Sequence, residues 1–127
     1  MNVLQLAEEY VRRFPALRYQ RRALSLHVDP PNPNGFPVAI EVTRDGFVVH
    51  LSGWQDAFEE ERDALDCFRF AFSPQCRLRV ASRGGVDCEW TLEFRDEDGW
   101  QSDKSVEKRS FQIWKSKEVR YLHNILR

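Results

Sequence analysis

The chain has 127 residues, 42% hydrophobic and 31% charged, with a formal net charge of −1. That length suits a single domain over residues 1–127, with a core that needs no metal or disulfide. The charge balance excludes a global field directed at nucleic acid or an anionic membrane, and no apolar run approaches the length of a bilayer span. The N-terminus shows no charged segment followed by an apolar run, so no export signal is expected. Cys67, Cys76 and Cys88 are odd in number and widely spaced. They point to a reducing, cytoplasmic setting in which cysteine packs as a small hydrophobe.

Val3, Leu6, Ala7, Tyr10, Val11 and Phe14 recur at helical spacing and predict a helix over residues 3–14. Asn2 caps it, Gln5 completes a capping box, and Pro15 ends it. Leu24, Leu26 and Val28 alternate with Ser25 and His27, a first strand. Residues 29–35 carry three prolines, two asparagines and a glycine, a loop that cannot join a central ladder. Residues 37–43 and 47–51 flank Asp45-Gly46, a hairpin signal. A turn there sets Val42 against Val49, Ile40 against Leu51, and Glu41 against His50.

Ser52 and Gln55 read as a second capping box, opening a helix that runs to Phe72 before Ser73-Pro74. Cys76, Leu78 and Val80 then alternate with Arg77 and Arg79. Val86 to Phe94 alternates without a break: Val86, Cys88, Trp90, Leu92 and Phe94 on one side, Asp87, Glu89, Thr91 and Glu93 on the other. A three-residue loop at Arg83-Gly84-Gly85 pairs Val80 with Cys88, Leu78 with Trp90 and Arg79 with Glu89, the last on a wet face. Residues 100–109 have no clear pattern. Residues 110–115 read as a last strand, with Phe111 and Ile113 inward. Val119, Leu122 and Leu126 then suggest a C-terminal helix, although Val119, Tyr121 and His123 also alternate as in a strand.

The expected fold is α+β: one antiparallel sheet of five or six strands with two or three helices on one face, in the order α-β-β-β-α-β-β-(β)-α. This order is similar to that of type III secretion chaperones, which are small dimeric α+β proteins. The chain lacks their strong acidity, and no residue carries over.

Chemistry-bearing constellations are sparse. His27, His50 and His123 stand apart and the cysteines lack zinc-site spacing, so neither metal nor cofactor is expected. Gly84-Gly85 joins two strands and cradles no phosphate. His50 opposite Glu41 is the acid/base candidate, and a cross-strand pair on a solvated face is its bland counterpart. Arg12, Arg13, Arg18, Arg21 and Arg22 form the one dense basic cluster, suited to an anion or nucleic acid, or simply to the charged end of a helix. Trp100 and Trp114 are less constrained by pattern than Trp54 and Trp90 and are candidates for an interface. The expected function is therefore a non-enzymatic protein-interaction domain, of adaptor, chaperone-like or immunity type. Its partner is another protein or a second copy of the chain in a homodimer, with no membrane involved. The alternatives are a small-ligand or enzymatic pocket between sheet and helices, and nucleic-acid binding through Arg12–Arg22, against which the acidic second helix argues.

Overall fold

The computed structural model describes residues 2–108 and 114–126. Over the described residues it is α+β, with two helices and two antiparallel sheets. Helix α1 (Val3–Arg12) begins at the capping box: Asn2 Oδ1 accepts from the Gln5 amide at 2.9 Å, and Gln5 Oε1 accepts from the Asn2 amide at 3.0 Å. Val3, Leu4, Ala7 and Val11 are its buried stripe.

The first sheet runs β1 (Tyr19–Arg21), β2 (Ser25–Val28), β3 (Val38–Thr43), β4 (Gly46–Leu51) and β5 (Trp54–Phe58) in spatial order. Leu26, Val28, Val38, Ile40, Val49, Leu51 and Trp54 form its inward face, and α1 and α2 (Glu61–Phe70) lie on it. The second sheet has the order β8 (Gly99–Glu107), β7 (Val86–Asp96), β6 (Cys76–Arg83), β9 (Lys117–Leu122). Its inward residues Cys76, Leu78, Val80, Trp90 and Leu92 join the same buried cluster as the helices and the first sheet.

The sheets meet where Gly53 faces Trp90. A Cβ on Gly53 would stand 2.3 Å from the indole, so the backbone there has room only for hydrogen. Trp54 Nε1 also donates to the Lys104 carbonyl at 3.0 Å, tying β5 to β8.

Several expectations are corrected. There are two sheets of five and four strands rather than one. The second helix starts at Glu61, not Ser52. Ser52 instead adopts φ 55° in a tight turn with Gly53, and Trp54, Asp56 and Phe58 continue inward along a strand. The final helix is instead β9, held by β6 from Leu78 to Arg83. Residues 99–107, patternless in sequence, form β8. The likeness to secretion chaperones rested on an element order that is not observed. The strand expected over 110–115 falls mostly outside the described residues.

Both hairpin registers differ by two residues from expectation. Ile40 pairs with Val49 and Val38 with Leu51, around an Arg44-Asp45 turn. Leu78 pairs with Leu92 and Val80 with Trp90. The second turn is Gly84-Gly85, with φ 58° and 81°, the left-handed geometry of a two-residue hairpin. Asp87 pairs with Ser82 and Glu89 with Ala81, leaving Cys88 as an extra residue in β7. That bulge restores the inward placement of Trp90 and Leu92, which an unbulged two-residue turn would reverse.

Candidate functional site

The outward face of the second sheet is where chemistry-bearing side chains converge. Arg77 on β6 directly opposes Glu93 on β7. Its Nε donates to Glu93 Oε1 at 2.6 Å, and Ser102 Oγ on β8 donates to Oε2 at 3.2 Å. The guanidinium lies 4.2 Å from the Trp100 ring centroid on one side and 4.0 Å from that of Tyr121 on the other. Arg95 reaches the Trp100 ring at 5.9 Å, and His123 packs on it with centroids 5.5 Å apart. Planar guanidinium against two aromatic faces is a stack that lysine cannot make.

This stack overturns one sequence expectation. Glu93 and Thr91 are not on a wet face; they are 6% and 4% exposed. Arg77 and the neighbouring strands cover Glu93, and Thr91 shares a 2.7 Å hydrogen bond with Ser105. The buried carboxylate is tolerated because it is both ion-paired and hydrogen-bonded. Further along the face, Glu89 takes Arg79 at 3.3 Å diagonally and Lys117 at 3.7 Å. Arg79 itself opposes Thr91, not Glu89.

Beside this array runs an apolar margin. Trp114, Val119, Tyr121 and Val86 are exposed by 73%, 42%, 48% and 51%. Val119 and Tyr121 project on the Arg77 side of β9. Val86 pairs with Arg83, which pairs with Lys117 at the start of β9. Arg83 also donates to the Lys115 carbonyl at 2.6 Å, placing the Trp114 segment beside it.

The other sequence candidates lie elsewhere. His50 and Glu41 occupy the outward face of the first sheet, 3.5 Å apart, with His50 half-buried and Glu41 exposed. They are diagonal rather than opposed, since Ala39 faces His50. Arg12, Arg13, Arg18, Arg21 and Arg22 are all exposed around the α1–β1 connection. Arg12 is engaged by Tyr19 Oη at 3.1 Å and Glu8 at 3.6 Å, and Arg22 donates to Gln20 at 3.3 Å. Arg21 donates to the Arg22 carbonyl. Trp100 joins the stack and Trp114 the margin, so the basic cluster and the tryptophans are not brought together.

The thiols of Cys67 and Cys76 are poor nucleophiles. Burial, then Asp56 and Asp103, push Cys67 up to about 12, and burial with Cys67 nearby pushes Cys76 up to about 12. A thiol so raised is almost wholly protonated at neutral pH. Among the described residues, no group of three or more His, Cys, Asp or Glu is placed to hold a metal ion. Nor is any described helix long and apolar enough to cross a membrane.

A second feature lies where α1 and α2 meet the segment after β9. Tyr10, Phe14, Arg69, Phe72, His123, Asn124 and Leu126 help to line a cavity of about 540 Å³. The Pro/Asn-rich loop fixes that segment: the His123 amide donates to the Asn34 carbonyl at 2.9 Å, and Asn124 Oδ1 accepts from the Phe36 amide at 2.7 Å. Gly35 packs so closely that a Cβ would come within 2.8 Å of Asn124 Oδ1. Burial, then Arg77 and Arg95, lower the pKa of His123. Sequence reasoning missed Arg77, Glu93, Tyr121, His123 and Asn124. Alternation put Arg77 outward, but only the order β8-β7-β6-β9 brings aromatic rings to both its sides.

Comparison with protein-family models, with curated proteins and with solved structures found no match.

Proposed function

We propose that the chain is a non-enzymatic protein-binding module that recognises its partner through the outward face of the second sheet. The observation that carries this reading is the apolar margin of Val86, Trp114, Val119 and Tyr121 beside the Arg77 stack. Contiguous exposed apolar surface marks interaction sites on soluble proteins. Tryptophan, tyrosine and arginine are the residues that dominate binding energy in interfaces. Here the arginine is already immobilised by Glu93 and two rings, so binding costs little further side-chain entropy. The Cys67 and Cys76 thiols, held protonated by burial, offer no activated nucleophile.

The test is light scattering and affinity capture from the native lysate, run on the wild type and on a Trp114→Ser, Val119→Lys variant. Both positions are exposed, so the variant should fold. The expected result is a homodimer or a discrete captured protein for the wild type, lost in the variant. A strict monomer whose captured proteins are the same in both forms would contradict the proposal.

A further inference from the structure

Beyond the protein-binding face, we infer that the cavity between α1, α2 and the segment after β9 is a binding site for a small monocarboxylate with an apolar body. Three observations converge on that chemistry. The walls are largely aromatic and aliphatic: Tyr10 packs edge-on against Phe14 at 5.3 Å and tilted against Phe72 at 6.0 Å, and Leu126 is also in the lining. At about 540 Å³ the space falls within the range of small-molecule sites, roughly 300–1,000 Å³.

The second observation is a pair of unpaid hydrogen bonds. Asn124 is 3% exposed, and its Oδ1 is used by the Phe36 amide, but its Nδ2 has no partner among the described residues. The Nε2 of His123, another lining residue, is also buried without a partner among the described residues. Buried polar atoms are nearly always satisfied, and each orphan costs about 1–3 kcal/mol. Two orphans lining one cavity point to a ligand that completes them. An amide N–H requires an acceptor, so the ligand must present a lone pair there.

The third observation is charge. Arg69, in the last turn of α2, lines the cavity. Its described contact is with the Tyr10 ring at 5.9 Å, and no carboxylate pairs with it among the described residues. Among the described residues, no Asp or Glu lines the cavity. A guanidinium, an amide donor and no acidic residue select an anionic oxygen head group over an alcohol or an amine. A carboxylate supplies two such oxygens, and an alkyl or aryl body fills the aromatic walls.

The test uses decanoate as probe, with decanol and acetate as controls, titrated into the full chain and followed by calorimetry and amide NMR. Saturable binding of decanoate at one site is expected, with shifts at Tyr10, Phe72 and Asn124 and at the indole N–H of Trp100, whose ring packs on His123. Decanol and acetate should each bind at least about tenfold more weakly, a loss near 1.4 kcal/mol. Arg69→Gln, at an exposed position, should weaken decanoate by a similar factor. Asn124→Asp keeps the oxygen that accepts from Phe36 and replaces the donor with a like charge, so decanoate binding should be lost. Three results overturn the inference: no saturable binding, decanol binding as tightly as decanoate, or unchanged decanoate affinity in Arg69→Gln. Failure here leaves the protein-binding reading standing, because Trp114 and Val119 are not part of this cavity.

Discussion

The outward faces of the two sheets carry the same kind of pair and treat it differently. On the first, Glu41 and His50 sit 3.5 Å apart with 48% and 36% of their side chains exposed. On the second, Glu93 and Arg77 sit 2.6 Å apart with 8% and 19% exposed. Water screens the first pair, which contributes about 0–1 kcal/mol at most. The second is roofed by Trp100 and Tyr121 and fixed by Ser102, so its charges interact through a drier medium. Chemical type did not decide this; neighbouring strands did. The second sheet places aromatic residues on both sides of its arginine, whereas Ala39 and Gln55 flank His50 on the first.

The contrast can be broken from several directions. The largest effect should come from Trp90→Ala, which empties the inward side of the second sheet where it rests on Gly53. We expect a loss of about 3–5 kcal/mol in urea unfolding, and a loss under 1 kcal/mol would mean that the two sheets do not share one core. Next is Glu93→Gln, which leaves Arg77 partly buried without a counter-charge. The expected loss is about 2 kcal/mol. Its counterpart Glu41→Gln should stay within about 0.5 kcal/mol. Equal effects of the two would erase the distinction between the faces.

A smaller effect concerns pH. The pKa of His123 is lowered from its ordinary 6.5 by burial and by Arg77 and Arg95. As pH falls through 6.5, the unfolded chain takes up this proton before the folded one does. The stability contributed by neutral His123 is therefore complete above that value and is lost progressively below it. Unfolding free energies at pH 7.5 and 5.5 should show a smaller acid loss in His123→Phe than in the wild type. An identical loss in both would show that His123 is not held neutral.

Much of this architecture is legible in the residues, and the gaps have physical causes. The capping box of α1 is visible because Asn2 and Gln5 need only local geometry. The inward faces of both hairpins are visible because alternation has a period of two, except at Val86, which lies before the Cys88 bulge and is 51% exposed rather than inward. A shift of two residues leaves every face unchanged, so the same pattern cannot set the register, and both partner assignments slipped by that amount. Trp54 to Phe58 satisfies strand and helix periodicities alike. Ser52-Gly53 decides for the strand through a backbone turn, because Gly53 must admit the Trp90 ring. Among the inward positions of β8, Val106 is the clear apolar residue, too weak a signal to read. The Arg77 stack depends on β9 crossing to the far side of β6, a long-range pairing that no local window contains. The basic cluster at Arg12–Arg22, conspicuous in sequence, is instead spread along an exposed helix end and edge strand.

The most direct test of a prebuilt recognition face is the Nε–H resonance of Arg77 in a side-chain NMR spectrum. Held against Glu93 and stacked between two rings, it should be shifted by ring currents, exchange slowly with solvent, and lose both properties in Trp100→Ala. A signal that averages and exchanges like that of an exposed arginine such as Arg13, unaffected by removing Trp100, would show that the second sheet offers no such surface.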